Sequence, residues 1–272
     1  MNRYQQYMYS YPHKTAYGPL AGLRLDDYNP RLTTGANSLY FHVPFCETKC
    51  GYCNLFSLAG QAQELVEDYL QAMTRQIEQY QLSEVTFTDL TIGGGTPLYL
   101  TASQLERLFA LAEERVHFQT TQPPIIIETS PRQTTAEKVQ VMRDHGVSRV
   151  SLGVQSFQDQ ELLTLGRLHR RKDIDRALAL LKQAGFSCLN LDLIYGVPGQ
   201  SVHSVLESLR LTLTYEPEEI FLYPLYVKAG TTLYRQGKRV STEAYALYRM
   251  LRQKLLGAGY TQTSMRRFVR KP

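Results

Sequence analysis

From Ser38 onward, short apolar runs rich in β-branched residues alternate with longer segments in which apolar residues recur at helical spacing. This alternation is typical of βα units, whose helical crossovers keep the strands of one sheet parallel. Six such units predict an α/β fold with a partial (β/α)6 barrel that is open on one side. A closed barrel with additional weak strands is the alternative. The six predicted strands are Leu39–Val43, Val85–Ile92, Ile125–Thr129, Arg149–Val154, Leu189–Ile194 and Glu219–Leu225.

Two helical segments show apolar packing faces. Their apolar positions are Leu65, Tyr69, Met73, Ile77 and Tyr80 in one segment, and Ile174, Ala177, Leu178, Leu181 and Ala184 in the other. Capping boxes, in which a hydroxyl and a side chain three residues later satisfy free amides, are predicted at Thr101 with Gln104 and at Thr134 with Glu137. The last helix is predicted over residues 243–258, before a glycine-rich end that suits a C-cap.

The length of 272 residues and the apolar content of 43% suit one catalytic domain. We divide the chain into a tyrosine-rich N-terminal strap (residues 1–37), a core (38–258) and the start of a truncated C-terminal region (259–272). No chemistry is assigned to the strap. Packing across the barrel and stacking on a planar ligand are the two alternatives for its role. Its tyrosines, which surround His13, are Tyr4, Tyr7, Tyr9, Tyr11 and Tyr17.

The N-terminal segment lacks the apolar core of a signal peptide, and no apolar run reaches membrane-spanning length. Three of the four cysteines lie within eight residues, which suits a metal site in a reducing compartment better than a disulfide framework. We therefore expect a soluble, cytoplasmic protein. The net charge of +5 includes no concentrated basic arm, so nucleic acid is not an expected partner.

The densest basic segment follows the fourth predicted strand. A carboxylate-binding loop and a solvated loop both fit its composition, and on charge alone the solvated loop is favoured. The residues of this segment are Arg167, His169, Arg170, Arg171 and Lys172.

The segment PFCETKCGYCNLF places three residues between Cys46 and Cys50 and two between Cys50 and Cys53. It directly follows a predicted strand, so its loop leaves the C-terminal edge of the sheet, where barrel active sites lie. Such spacing lets one loop bind three irons of a cuboidal cluster and leaves the fourth iron open. A zinc site is the alternative, but structural zinc takes four ligands, while Cys188 stands alone and His42 lies on a strand. We expect Cys188 to behave as a small buried apolar residue.

Glycines and acids follow other predicted strands. Gly93, Gly94 and Gly95 lack side chains, so backbone amides there can approach a ligand closely, although a glycine run alone more often marks a turn. Glu128 and Asp192 lie near strand ends that face the expected active-site mouth. Helix capping or a surface ion pair is the alternative role for either acid.

Taken together, these motifs resemble the radical SAM superfamily. The Cys-x3-Cys-x2-Cys pattern with the aromatic Tyr52 before its last cysteine is specific to that superfamily. The longer string LYFHVPFCETKCGYC is similar to a subgroup that contains oxygen-independent coproporphyrinogen III oxidase, a related haem chaperone and HemN-like methyltransferases. Further matching segments, between about Leu39 and Thr232, are IGGGTP (92–97), IIIETSP (125–131), RVSLGVQSF (149–157), GRLH (166–169) and LDLIYGVPGQ (191–200).

The resemblance implies roles for individual residues. The three cysteines would bind a [4Fe–4S] cluster, Tyr40 would pack beside S-adenosylmethionine (SAM), and Gly94 and Glu128 would contact it. A second SAM is implied at positions that match those of the oxidase. There, a guanidinium would bind a carboxylate through two hydrogen bonds. These positions are Gly95, Thr96, Gln155, Arg167 and Asp192.

The resemblance also implies an activity, namely reductive cleavage of SAM to a 5′-deoxyadenosyl radical that abstracts hydrogen from a substrate such as a porphyrinogen. A flavodoxin- or ferredoxin-type protein would donate the electron. One alternative is a haem chaperone, in which His13, His117 or His169 would be candidates for holding haem. Another is a radical SAM methyltransferase, for which two SAM sites would make sense.

Two departures from the subgroup pattern bear on the substrate. The oxidase pattern has a further cysteine where this chain has Leu55. The chaperone pattern has an aromatic residue at that position, whereas the aromatic residue of this chain, Phe56, comes one position later. The final segment YTQTSMRRFVRKP is similar to the beginning of the family's C-terminal region, cut short. The catalytic residues for a substrate therefore stay unassigned, while radical initiation is expected.

Overall fold

A computed structural model describes residue 22 and residues 36–80, 82, 85–116, 118 and 124–271. The strap tyrosines, His13 and His117 lie outside these residues, so the roles considered for them stay predictions.

Six parallel strands form the centre of the fold, and in the sheet each of the six lies next to the one that precedes it along the chain. All six strands predicted from the β-branched runs are present, with ends that differ by no more than two residues. The strands are β1 (Asn37–Val43), β4 (Phe87–Gly94), β5 (Ile125–Thr129), β6 (Arg149–Gln155), β7 (Cys188–Tyr195) and β8 (Glu219–Pro224). The predicted parallel α/β architecture is confirmed.

Helices follow the strands along the chain and cover the sheet. Within the described residues, no helix is long and apolar enough to cross a membrane. The helices are α1 (Gln63–Glu78), α2 (Ala102–Arg115), α3 (Ala136–Asp144), α4 (Asp159–Thr164), α5 (Arg171–Ala184), α6 (Val202–Thr214), α7 (Thr232–Arg235) and α8 (Ala244–Gly257), with a short 3-10 helix at Pro97–Tyr99.

Two antiparallel strands that the sequence did not reveal extend the sheet beyond β8. β10 (Arg267–Arg270) pairs with β8, and β9 (Tyr260–Gln262) pairs with β10. Among the described residues, β1 and β9 are the outermost strands and do not pair with each other, so this sheet is open, as expected for a partial barrel. The described residues after 258 thus continue the core sheet, and the division of the chain into three segments stays a prediction.

Local packing corrects two of the predicted helix features. Met73 and Ile77 are buried as predicted, but Leu65 is 41% exposed, because Val66 and Leu70 form the first part of the buried face of α1. The capping box at Thr101 is confirmed, but α3 is capped by Thr135 and not by Thr134. The Thr134 hydroxyl is buried and donates to the carbonyl of Ser130 at 3.0 Å, so the preceding turn already uses it.

Candidate active site

The cysteine loop leaves the C-terminal edge of β1 and is held in place at both ends and in its middle. Short strands β2 (Phe45–Cys46) and β3 (Leu58–Ala59) pair in parallel and close the loop. The amide of Gly51 donates to the Leu165 carbonyl at 2.8 Å, and the Gly51 carbonyl accepts from the amide of Leu233 at 2.9 Å. The position of the loop is therefore set by two segments far away in sequence.

The loop forms one wall of a cavity of about 380 Å³ at the C-terminal edge of the sheet. Every predicted site residue except Tyr40 lines this cavity. They are Cys46, Cys50, Cys53, Gly94, Gly95, Thr96, Glu128, Gln155, Arg167 and Asp192. Tyr40 is 53% exposed, and its hydroxyl lies 3.2 Å from Nδ1 of His42, on the strand that leads into the loop.

The glycine run lets the end of β4 approach the cysteine loop. A Cβ atom on Gly95 would lie 2.8 Å from Sγ of Cys46 and 2.7 Å from the Phe45 carbonyl oxygen, which is too close for any side chain. Gly94 has a φ of +120°, and its amide donates to Oε2 of Glu128 at 3.3 Å. Backbone of β4 therefore reaches positions next to both a cysteine sulfur and an acid, as expected for a close approach to a ligand.

Two side chains donate hydrogen bonds to the cysteine sulfurs. Nη1 of Arg167 lies 3.2 Å from Sγ of Cys50, and the Thr96 hydroxyl lies 3.7 Å from Sγ of Cys46. Nη2 of Arg167 donates to the Gly153 carbonyl at 2.6 Å and fixes the guanidinium. A fixed positive charge therefore lies beside the sulfur of Cys50, one of the three candidate metal ligands.

The preference for a solvated basic loop is wrong for Arg167 and for His169. His169 is 3% exposed, and its Nε2 lies 3.1 Å from the Val154 carbonyl oxygen. Burial lowers the pKa of His169 to about 3, so the ring is neutral and packed inside the protein. The residues that follow begin α5, where Arg171 pairs with Asp175.

Several buried polar atoms around the cavity have no hydrogen-bond partner among the described residues. Those on residues that line the cavity are Oγ of Ser57, Oε1 of Gln155 and Nε of Arg167. Gln155 also has a φ of +68°, a backbone conformation that L-residues rarely adopt and that is concentrated at functional sites. Because buried polar atoms are normally satisfied, these atoms indicate a wall that is built to meet a polar ligand.

Two carboxyl groups face the cavity. Burial raises the pKa of Asp192 to about 7, although Nδ2 of Asn190 donates to Oδ1 of Asp192 at 2.8 Å. Burial also raises the pKa of the Glu128 carboxyl. The hydrogen bond from the Gly94 amide and the charge of Arg149 oppose this rise. Near neutral pH, Asp192 can therefore hold or release a proton inside the cavity.

The sequence interpretation missed several residues at the cavity mouth. Tyr223 belongs to β8 and could have been found from the alternation of that strand. The others are Tyr226 and Lys228, which follow β8, and Arg266, which precedes β10. No sequence signal placed Arg266 there, because its position depends on the unpredicted β9–β10 pair.

The donor set fits an iron–sulfur cluster better than one metal ion. The three cysteines are free thiols on one loop, and within the described residues no group of three or more His, Cys, Asp or Glu side chains is arranged to hold a metal ion. A cuboidal cluster bonds each thiolate to a different iron, so its ligands need not converge on a single point. The unpartnered atoms of Gln155 and Arg167 add groups that a second ligand can use.

A model of the radical SAM superfamily matches residues 40–212, which include the cysteine loop, the glycine run and both acids. This chain belongs to the radical SAM superfamily. The radical SAM protein is 32% identical over 203 residues to the heme chaperone HemW of Bacillus subtilis, in a match that covers 72% of this chain and 52% of the relative. It is 32% identical over 232 residues to the oxygen-independent coproporphyrinogen III oxidase of Salmonella typhimurium, covering 80% of this chain and 50% of the relative.

Among solved structures, this radical SAM protein is similar to coproporphyrinogen III oxidase (HemN) from Escherichia coli, described as a radical SAM enzyme. The TM-score is 0.86 at 25% sequence identity, and the match covers 98% of this chain and 63% of the oxidase. The chain spans about half the length of the two curated relatives. The resemblance to the subgroup of the oxidase and the haem chaperone is therefore confirmed, and the relatives carry both names.

Proposed function

We propose that this chain is a radical SAM core that cleaves SAM reductively and acts on a porphyrinogen, as oxygen-independent coproporphyrinogen III oxidase does. The observation that carries the proposal is that the fold brings three free thiols of one loop to the wall of a cavity lined by glycines, acids and a guanidinium. Membership in the superfamily and similarity to the oxidase support it.

The thiolates of Cys46, Cys50 and Cys53 would hold a [4Fe–4S] cluster with one iron free of protein ligands. When bound, the cluster and SAM supply a 5′-deoxyadenosyl radical that removes a hydrogen atom from the substrate. Arg167 would donate a hydrogen bond to the ligand sulfur of Cys50, and Thr96 a longer one to that of Cys46.

Other residues of the cavity would bind and orient SAM. Gly94 leaves room for close approach, and the Glu128 carboxylate suits the ammonium of the methionine part, with Tyr40 at the rim. A second SAM is proposed at Gly95, Thr96, Gln155, Arg167 and Asp192. In support, Gln155 and Arg167 each have a buried polar atom available to a ligand.

The proposed substrate carries propionate side chains. After the hydrogen atom leaves such a propionate, release of carbon dioxide and one electron produces a vinyl group, so an electron acceptor is needed. The protein would work in the cytoplasm with a flavodoxin- or ferredoxin-type donor that supplies the electron for SAM cleavage.

A haem chaperone is the second candidate, and it is favoured because curated relatives are named heme chaperone HemW. Leu55 stands where the oxidase pattern has a cysteine, but it departs equally from the aromatic residue of the chaperone pattern. His169 is buried against the Val154 carbonyl, so it would have to leave that position to bind haem iron. Any haem would be held by other residues of this chain.

The first experiment is anaerobic reconstitution of the full chain with iron and sulfide, followed by reduction and chromatography for 5′-deoxyadenosine. We expect about four irons per chain and production of 5′-deoxyadenosine. The variant Cys50→Ser should lose both the bound iron and the production of 5′-deoxyadenosine. Cys188→Ser, at the opposite edge of the sheet, should retain both properties. A fully loaded chain that makes no 5′-deoxyadenosine with dithionite or reduced flavodoxin would refute SAM cleavage.

A second experiment separates the two candidates. Turnover of coproporphyrinogen III to a vinyl product supports the oxidase. Stoichiometric haem binding, followed by absorbance near the Soret band, without any such turnover supports the chaperone. A methylated product together with S-adenosylhomocysteine would instead assign the chain to the methyltransferases.

A further inference from the structure

The hydroxyl of Thr96 lies against a cysteine sulfur and does not cap a helix. Thr96 directly precedes the 3-10 helix Pro97–Tyr99, at the position where a threonine hydroxyl often caps, but its side chain makes no capping hydrogen bond. Its amide donates to the Phe45 carbonyl at 2.8 Å, and its hydroxyl lies 3.7 Å from Sγ of Cys46. A backbone hydrogen bond therefore joins the two segments beside the contact between hydroxyl and sulfur.

The turn that carries Arg167 packs directly on the cysteine loop. Gly166 has a φ of +70°, and a Cβ atom there would lie 2.8 Å from the amide nitrogen of Gly51. That amide donates to the Leu165 carbonyl at 2.8 Å. From this turn, Nη1 of Arg167 reaches to 3.2 Å from Sγ of Cys50. Contacts between the two backbones therefore fix the position from which this arginine acts on the sulfur.

The guanidinium of Arg167 is held at a second point. Its Nη2 donates to the Gly153 carbonyl at 2.6 Å. A guanidinium stays charged in proteins, so the hydrogen bond from Nη1 to Cys50 is assisted by charge. Nε of Arg167 is buried and has no partner among the described residues. Arg167 can therefore hold a sulfur and still offer one donor to a ligand.

Both hydrogen bonds act where charge changes when a cluster is reduced. A [4Fe–4S] cluster that takes up one electron gains one negative charge, and its sulfur ligands carry part of it. Hydrogen bonds to the sulfurs and the exposure of the cluster to solvent are among the factors that set the reduction potential. Cys46 is only 9% exposed, so little water competes with Thr96 at that sulfur.

We propose that Arg167 and Thr96 raise the reduction potential of the cluster and so determine how readily a flavodoxin- or ferredoxin-type donor reduces it. The proposal rests on the proposed function for the cluster, and it gives two residues a role in electron uptake. Both act through the cysteine ligands, so they are positioning residues in this role. Arg167 has the larger effect, because its bond is shorter and carries a charge.

The test is a redox titration of the reconstituted full chain without SAM, followed by the electron paramagnetic resonance signal of the reduced cluster. Arg167→Met should lower the ratio of reduced to oxidised cluster at a fixed potential about tenfold, which equals a midpoint about 59 mV more negative. Arg167→Lys should recover part of that loss, because it keeps the charge. Thr96→Val, which loses the hydroxyl and keeps the shape, should lower the ratio about threefold.

Two controls separate hydrogen bonding from packing and from net charge. Thr96→Ser keeps the hydroxyl and should keep the midpoint of the original chain. Arg270→Met removes the same charge at the opposite edge of the sheet, where this arginine pairs with Glu218 at 2.8 Å, and should also keep that midpoint. Iron and sulfide analysis shows whether each variant carries a full cluster. If Arg167→Met does not, the two variants of Thr96 still decide the proposal.

Three outcomes would overturn the proposal. One is the original midpoint in both Arg167→Met and Thr96→Val. Another is an equal shift in Thr96→Ser and Thr96→Val, which would assign the effect to packing. The third is an equal shift in Arg270→Met and Arg167→Met, which would assign it to net charge. The titration needs no SAM cleavage. A cluster that shows the expected shifts but yields no 5′-deoxyadenosine refutes only the proposed radical chemistry, whereas a chain that binds no cluster refutes both.

Discussion

At the N-terminal edge of the central sheet, the carboxylate of Glu219 lies between two guanidinium groups, whereas polar atoms at the C-terminal edge lack partners. Oε2 of Glu219 accepts from Nε of Arg149 at 2.9 Å, and Oε1 accepts from Nε of Arg267 at 3.0 Å. At the other edge, Oε1 of Gln155 and Nε of Arg167 are buried with no partner in the described part of the chain. The charged groups named at the N-terminal edge are paired with one another, whereas the polar atoms named at the C-terminal edge have no partner among the described residues.

Strand β6 connects the two environments on one face. Residues two apart in a strand point to the same side, so Arg149, Ser151 and Gly153 share the face that lines the cavity. Arg149 is paired with Glu219. Gly153 has no side chain, and a Cβ there would lie 2.9 Å from Nε2 of Gln155 and 3.1 Å from Nη2 of Arg167, so these two side chains fill its place. The difference indicates that one edge of the sheet stabilises the fold, while the other keeps polar groups ready for ligands.

The largest effect expected on iron loading comes from Gly95→Ala at the C-terminal edge. Its new Cβ would lie 2.8 Å from Sγ of Cys46 and 2.7 Å from the Phe45 carbonyl oxygen, so the loop must move. We expect iron content after reconstitution to fall to background and the free energy of unfolding to fall by about 2 kcal/mol. Iron and sulfide analysis with urea titration checks both.

The matched control for that substitution is Gly257→Ala, because no atom lies within 4 Å of the Cβ that would be added there. Gly257 is the last residue of α8, where alanine is the better helix former. Normal iron loading of Gly95→Ala would show that the loop tolerates displacement and would contradict the close-approach argument.

Asp192→Asn should stabilise the chain near neutral pH. The folded-state pKa of Asp192 is raised by burial from 3.8 to about 7, so the folded chain binds the extra proton and loses stability as pH rises through this window. The free energy of unfolding of the variant should exceed that of the original chain only slightly near pH 4. The difference should reach at most about 4 kcal/mol above pH 7. Thermal melts of the cluster-free chain across this range measure it.

Asp68→Asn, an exposed acid on α1, is the control and should give no such slope. A difference between Asp192→Asn and the original chain that does not depend on pH would mean that Asp192 titrates normally. In that case, the cavity wall would not be as poorly solvated as the structure indicates.

Glu219→Gln should show the opposite dependence on pH. The hydrogen bonds and charges of Arg267 and Arg149 lower the pKa of Glu219 against the effect of its burial, so its stabilisation is present above the unfolded pKa and is lost as pH falls. We expect a loss of about 3 kcal/mol at pH 7, because two guanidinium groups lose their counter-charge. The loss should shrink below about pH 4.5.

Urea unfolding at pH 7 and pH 4 measures this effect, with Glu64→Gln on the exposed surface of α1 as the control. Equal losses at the two pH values would mean that packing, and not charge, accounts for the role of Glu219.

The smallest expected effect concerns His145, which follows α3 at the N-terminal edge. Its Nδ1 lies 2.8 Å from Glu113 and its Nε2 2.6 Å from Glu106, and these carboxylates raise the pKa of the ring against the effect of burial. The stabilisation is therefore present below pH 6.5 and is lost as pH rises past the raised pKa. His145→Gln should cost about 1 kcal/mol at pH 6 and less at pH 9.

Thermal melts at the two pH values check this prediction, and His203→Gln on the exposed surface of α6 serves as control. A loss that grows toward pH 9 would contradict the ion-pair account of His145.

The six parallel strands could be predicted because each contains a short apolar or β-branched run, such as IIIET in β5, where Ile125 and Ile127 are buried. The cysteine loop and glycine run could be placed because both directly follow such strands. The cap of α3 was predicted one residue too early, because Thr134 with Glu137 fits the capping-box pattern, whereas the turn after β5 already uses the Thr134 hydroxyl.

The mouth of the cavity could not be predicted, for a physical reason. The sequences YTQ and RFVR are too short to show a strand period, and they become strands through pairing with β8. The position of Arg266 follows from that pairing and has no local signal. Similarly, the burial of Arg167 depends on Gly153 and Cys50, which are distant in sequence.

The hydrogen bonds of Gly51 bear on the order in which this protein matures. Its amide and carbonyl bind Leu165 and Leu233, and the nearby Arg167 to Cys50 contact spans 117 residues. A nascent chain that has emerged only as far as its cysteines lacks all of these partners. We therefore expect the thiols to reach their final arrangement late in synthesis, so that iron and sulfide are inserted into a folded protein and do not direct its folding.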